Sequence, residues 1–233
     1  MISNLALITR QLLAEVTPGT QLSKLIMESF ELRPYDVIAV TQKIVSKAEN
    51  RVVALDPDSD DQFEALVEQE SRRVLRRRGK LMITETKHGF ICANAGVDRS
   101  NTDNGTVTLL PKNPDHSAFR IREELKQMTG FEVAVLITDT FGRTFRSGVT
   151  DVAIGSSGLR PIVDLRGTLD QNGKELQATE ICIADEIAGA CDLVKTKDGR
   201  TPVVVVRGLS RDYFGEGTIV ESVVRDYSLD LFR

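Results

Sequence analysis

Val133-Ala134-Val135-Leu136-Ile137 runs directly into Thr138-Asp139-Thr140-Phe141-Gly142-Arg143, and Arg146 and Gly148 follow. The apolar run reads as a buried strand. Past its end the chain offers a carboxylate, two hydroxyls, a flexible glycine and two guanidinium groups. Carboxylate plus hydroxyl can hold a hard cation such as Mg or Mn through oxygen. Arginine can clamp phosphate bidentately. Phosphoryl transfer needs that combination, a metal to neutralise charge and cations to position oxyanions. Strand ends also carry Asp and Thr as turn and cap residues, and loop arginines are commonly just solvated. On this stretch alone both readings stand for Asp139 and Thr140.

Outward from it, residues 22–30 read as a helix and 36–40 as a buried strand. Residues 62–78 read as an amphipathic helix with a basic end, Arg72-Arg73 to Arg76-Arg77-Arg78, which suits the helix dipole. Strands are expected at 81–85, 89–93 and 107–110, then a turn at 111–115. A helix follows over 117–128, with Ser117 as N-cap. Beyond residue 148, strands are expected at 152–154, 162–165, 179–180 and 203–207, and a helix at 181–194. Strands and helices mix without a regular βαβ repeat, which predicts an α+β fold of mixed sheets with flanking helices. The chain reads as a single unit over residues 1–233, with a soft boundary between two subdomains near residues 148–158. No G-x-G-x-x-G follows a strand, and there is no Walker A sequence.

The 233 residues, 41% hydrophobic, are ample for a core. Net charge is −4, so no domain-wide basic excess points to nucleic acid. The three cysteines, Cys92, Cys182 and Cys191, fit no zinc spacing and are expected to be reduced, buried thiols of a cytoplasmic protein. Two histidines, His88 and His116, exclude a histidine-rich metal site. The first residues lack a basic region and a small-residue cleavage site, so no secretory signal is expected. No apolar run approaches membrane-spanning length.

Two further segments carry candidate chemistry. Asn94 to Asn101 follows a strand and contains Gly96 and Asp98. Asp98 and Asn101 can ligate a cation or contact a base or ribose; taken alone, the segment reads first as an Asx-turn. Two carboxylates at separate strand ends, Asp98 and Asp139, can share one divalent ion. Thr41-Gln42-Lys43 follows the strand at 36–40, and a helix there would set Lys43 and Lys47 one turn apart on one face. They read as a phosphate site or as a solvated lysine pair. Asp170 to Glu175 contains Asn172-Gly173 and reads as a hairpin turn. Asp185 and Glu186 sit in an otherwise apolar helix, one of them expected to face solvent.

Taken together, these segments resemble the coenzyme F420 γ-glutamyl ligases. The matches are VTQKIVSKAENRVV (40–53), TKHGFICANAGVDRSN (86–101), ITDTFGRTFRSGVTDVAIGSSGL (137–159), DQNGKELQATEICIADEIAGACDLVK (170–195) and PVVVVRGL (202–209), in the family's order. The resemblance implies a GTP-dependent enzyme that adds L-glutamate to a phospholactyl deazaflavin through an acyl phosphate, and then γ-linked glutamates. It implies Mg or Mn, a monovalent cation such as K, and an intertwined homodimer. It implies Asp98 and Asp139 as shared metal ligands, with Thr140 on a second metal. Asn101 is then a nucleotide contact, and Gln42, Lys43 and Lys47 form the nucleotide-binding turn. Residues 13–16 fall where an N-terminal nucleotide-contacting loop belongs.

The chain departs from the family at Lys195-Thr196-Lys197-Asp198-Gly199-Arg200. Some members carry an acidic metal ligand where Lys197 stands here. Lys195, Thr196 and Lys197 are therefore expected to hold phosphate, keeping charge neutralisation by other means. Some bacterial members fuse a C-terminal reductase domain, and none is expected here. The general base is not assigned. Two rival readings remain: a nucleotide-dependent ligase for another carboxylate, and a non-catalytic GTP-binding regulator.

Overall fold

A computed structural model describes residues 4–56, 58–99, 105–195 and 200–231. In chain order the elements are β1 (Ala6–Thr9), α1 (Leu22–Ser29), β2 (Val37–Thr41), α2 (Gln42–Ala48), β3 (Val52–Ala54), α3 (Asp60–Glu70), β4 (Ser71–Arg78), β5 (Leu81–Thr86), β6 (Ile91–Ala93), β7 (Thr106–Thr108), α4 (Pro114–Thr129), β8 (Ala134–Arg143), β9 (Arg146–Ser157), β10 (Ile162–Asp164), β11 (Glu180–Cys182), α5 (Ile183–Asp192), β12 (Val203–Arg207) and α6 (Ile219–Ser222). The fold is α+β, with mixed sheets and helices.

The main sheet has the order β1-β12-β2-β8-β9. Its central strands are the continuous apolar runs: Val37 to Val40, Ala134 to Ile137 and Val203 to Val206 are all at most 1% exposed. Such runs suit strands covered on both faces. Only β2 and β8 run parallel, in a register that sets Thr41 opposite Thr138. The helices α4 and α5 both pack on β9. A second, smaller core gathers Phe63, Val67, Met82, Val97 and Val107. It lies among α3, β5 and the β3–β7 pair. Among the described residues, no helix is long and apolar enough to cross a membrane.

Three expectations about local structure are corrected. The segment 62–78 is not one helix. α3 ends at Ser71, whose hydroxyl donates to the Val67 carbonyl at 2.6 Å, and the basic run continues as β4, antiparallel to β5. Glu85 accepts from Arg72 and Arg73, while Arg77 pairs with Glu64 and Glu68. A sheet ladder plus these distant carboxylates outweighs local helical periodicity. α4 begins at Pro114, and its cap is Asn113, whose side chain accepts from the His116 amide at 3.0 Å. Ser117 lies inside the helix, and its hydroxyl donates to Glu49 at 2.6 Å.

The third correction concerns residues 138–143. They are not a loop but the continuation of β8, which turns back into β9 as a long hairpin. A register shift between Ile137 and Thr138 marks where the apolar part gives way to the polar part. Residues 146–157 form one unbroken strand of the main sheet. The turn at Asp170 to Lys174 is as expected, with Asp170 Oδ1 accepting the amides of Asn172 and Lys174 at 2.8 Å. Asp185, one of the two acids of α5, accepts the Ala153 amide at 2.9 Å and ties α5 to β9, while Glu186 is exposed.

Candidate active site

Parallel pairing points the carboxyl ends of β2 and β8 the same way. The segments leaving them therefore lie side by side, and ligand crevices form at such ends. A cavity of about 860 Å³ opens there. Residues 12–16 line one wall, and Thr41 to Ile44 with Lys47 another. Asn94, Gly96, Val97 and Asp98 come from the turn after β6, Asp139 and Thr140 from β8, and Asp151 from β9. Ala93, Asp192, Lys195 and residues 200–202 complete the lining.

The turn after β6 is shaped to deliver Asp98. Asn94, Ala95 and Gly96 all take positive φ, and a Cβ at Gly96 would lie 2.7 Å from the Leu110 side chain. Only glycine fits there without displacing Leu110. Asp98 then bridges to Thr108 through two 2.9 Å backbone hydrogen bonds. Its Oδ2 lies 2.7 Å from Lys43 Nζ, so β2–α2 and the β6 turn meet across the cavity.

Asp139 is half-buried on the cavity floor. Its Oδ1 accepts the Thr140 amide at 2.9 Å. Desolvation pushes its carboxyl up to about 7; repulsion from Asp98 and Asp151 adds to this, while the Thr140 amide and Lys43 oppose it. Asp151 is 4% exposed and receives three donors. Thr140 Oγ1 donates to its Oδ1 at 2.7 Å; Lys195 Nζ at 2.7 Å and Thr138 Oγ1 at 3.3 Å donate to its Oδ2.

These groups fit a hard divalent cation. Asp98 and Asp139 bring oxygen donors to one cavity, and a bound cation would relieve both the desolvation of Asp139 and the lesser repulsion from its neighbours. Among the described residues, no three His, Cys, Asp or Glu side chains converge on one point. Asp98, Asp139 and the Thr140 hydroxyl would thus leave any cation held in this cavity open positions for phosphate and water, as Mg ions commonly keep.

The sequence model of the F420-0:Gamma-glutamyl ligase family matches residues 12–208. This chain belongs to that family. A protein of Methanopyrus kandleri named coenzyme F420:L-glutamate ligase is 39% identical over 236 residues, covering 94% of each chain. One of the same name from Methanothermobacter thermautotrophicus is 40% identical over 213 residues, 85% of this chain and 84% of the relative. A third, from Methanocaldococcus jannaschii, is 37% identical over 227 residues, 91% of this chain and 90% of the relative.

In this family member, Gln42, Lys43, Lys47, Lys195, Asp98, Asp139 and Thr140 all line the one cavity. Their surroundings differ. Gln42 is 1% exposed, and its Oε1 accepts from Ser46 at 2.9 Å within α2. Lys195 is bonded to Asp151. Asn101, Thr196 and Lys197 lie outside the described residues. Arg143 and Arg146, which the sequence suggests as phosphate clamps, are on the exposed outer part of the hairpin and do not line the cavity. Cys92 and Cys191 are buried and Cys182 is half-buried; burial raises these thiols to about 12, 12 and 11 respectively. Sequence reasoning missed Asp151 and Thr138 as site residues. The available signal was a carboxylate in Thr150-Asp151-Val152-Ala153-Ile154, an otherwise strand-like run.

Proposed function

We propose that this protein is a GTP-dependent ligase joining L-glutamate to the phospholactyl carboxylate of coenzyme F420-0 and then extending the tail through γ-linkages. The reading is supported above all by one coincidence. Relatives named coenzyme F420:L-glutamate ligase, matched over most of their length, accompany a cavity that gathers Asp98, Asp139, the Thr140 hydroxyl and lysines from separate segments of the chain. In this reading a carboxylate oxygen of the acceptor attacks the γ-phosphorus, GDP leaves, and an acyl phosphate forms. The glutamate amine attacks the acyl carbon, phosphate departs, and the amine gives up a proton as the amide forms. The chain's tasks are to hold the partners in line and to neutralise charge. Lys43 and Lys47, one turn apart on α2, bind phosphate oxygens, and Lys195 lines the same cavity. Mg or Mn held by Asp98 and Asp139, with Thr140 on a second ion and K assisting, would supply neutralisation of the phosphate charge. A cytoplasmic homodimer belongs to the same proposal.

Mass spectrometry of a reaction with purified protein, the deazaflavin phospholactate, L-glutamate, GTP and Mn tests it. Products heavier by glutamyl units, and absent without GTP or metal, are expected. Glutamylation of another carboxylate instead, or GTP binding without any product, overturns it.

A further inference from the structure

Asp151 stands directly opposite Thr140 in the β8–β9 register. Its two oxygens take three donors from two parts of the chain. Thr140 and Thr138 belong to β8, and Lys195 follows α5. Lys195 Nζ also donates to Thr138 Oγ1 at 2.8 Å, closing the set. The set is sheltered: Thr138 is 0% exposed, and the Lys195 and Asp151 side chains are 10% and 4% exposed.

Hydroxyl inventory gives this arrangement a chemical consequence. Thr140 has one hydroxyl hydrogen, and it is committed to Asp151. Its remaining lone pairs can only accept a donor or ligate a cation. Thr140 is exposed, while Asp151, which borders the same cavity, is only 4% exposed. An exposed hydroxyl left to itself would rotate among donor and acceptor roles. Here a buried carboxylate selects one. The neighbouring Asp139 is fixed from the same residue, through the Thr140 amide.

We propose that Asp151 is a positioning residue: it orients Thr140 with its oxygen lone pairs toward the cavity, and Lys195 is the counter-charge that keeps Asp151 in place. This rests on the reading of Asp139 and Thr140 as cation-facing groups. Asp151 does not touch the reacting atoms; it acts through Thr140. A buried ion pair that merely braced the fold would not depend on the Thr140 hydroxyl. A positioning carboxylate must.

The test is a double-mutant cycle on Mn(II) binding, read by electron paramagnetic resonance of unbound Mn(II) with protein and GTP, alongside kcat and KM for GTP. Asp151→Asn and Thr140→Val should each weaken Mn(II) binding roughly 10–100-fold, the range for residues that orient metal ligands. Their combination should be no worse than Thr140→Val alone, because both act on one oxygen. Thr140→Ser, which restores the hydroxyl, should recover most of the loss. Independent, additive losses overturn the proposal, as does Thr140→Ser behaving like Thr140→Val. That second comparison stands even if Asp151→Asn does not fold. Asp139→Asn separates the two levels. If it abolishes Mn(II) binding while Asp151→Asn leaves it intact, the positioning role fails alone. If Asp139→Asn also binds Mn(II) normally, the cation reading of the cavity fails and takes this role with it.

Discussion

Two lysine–aspartate pairs line the cavity, both at 2.7 Å, yet they are different objects. Lys43–Asp98 joins the β2–α2 junction to the turn after β6, with side chains 17% and 33% exposed. Lys195–Asp151 joins the end of α5 to β9, at 10% and 4%. The first pair touches solvent, so an arriving phosphate or cation can exchange for either partner without stranding a buried charge. The second is enclosed, and its carboxylate also serves two threonines. The same chemistry thus leaves one pair accessible to a ligand and makes the other part of the frame. The difference comes from burial, since desolvation makes parting a pair costly.

Asp139 lines the same cavity, and its removal should have the largest effect. Asp139→Asn should lower metal-dependent activity about 1,000-fold, comparable with the loss of a principal charge-stabilising group. Circular dichroism should show the fold intact. Full activity would show that neither wall organises a cation around Asp139. The same substitution has a pH signature. The Asp139 carboxyl titrates at about 7 in the folded protein, against about 3.9 when unfolded. Above pH 4 the unfolded chain loses this proton first, so metal-free stability should fall as pH rises toward 7 and stay low beyond it. Asp139→Asn removes that penalty. In chelator its melting temperature should exceed wild type at pH 8, with the gap closing by pH 4. An equal gap at both pH values would mean that Asp139 is not desolvated in the folded state.

The enclosed wall comes next. Lys195→Met leaves Asp151 charged, buried and holding only two hydroxyl donors. Breaking such a pair from one side should cost roughly 3 kcal/mol, read by denaturant unfolding. A loss under about 1 kcal/mol would put this pair with exposed ones and erase the contrast between the walls.

The sequence revealed one wall far better than the other. Apolar runs announced β2, the start of β8 and β12, because continuous burial is written in composition. Asp98 and Asp139 stood out as carboxylates beside strand ends, and Lys43 and Lys47 as neighbours by helical spacing. What escaped depended on pairing between distant segments. Asp151 matters because a particular register sets it opposite Thr140, and no local pattern encodes register. The basic run at residues 71–78 follows the same rule. Its strand state depends on Glu85, Glu64 and Glu68, and on the β5 edge, none of which helical periodicity can weigh. Ser117 and Asn113 illustrate it at short range. Both can cap, and the choice falls on the residue with extended backbone, Asn113 at φ −146°, while Ser117 is drawn to Glu49.

The smallest expected effect sharpens the comparison most, because it asks whether the open pair contributes to binding without contributing to stability. Lys43→Met removes an ammonium whose partner Asp98 remains wetted. Pairs of this exposure contribute about 1 kcal/mol or less, so the melting temperature should move by no more than a few degrees. If Lys43 binds phosphate when ligand arrives, the KM for GTP should still rise roughly 10-fold, about 1.4 kcal/mol of interaction. Lys195→Met should show the opposite profile, with a large stability loss and a smaller change in KM. Were Lys43→Met instead to unfold the protein while leaving KM for GTP untouched, the roles of the walls would be reversed. Binding would then have to be sought at the enclosed pair, and burial would no longer explain which lysine meets the nucleotide.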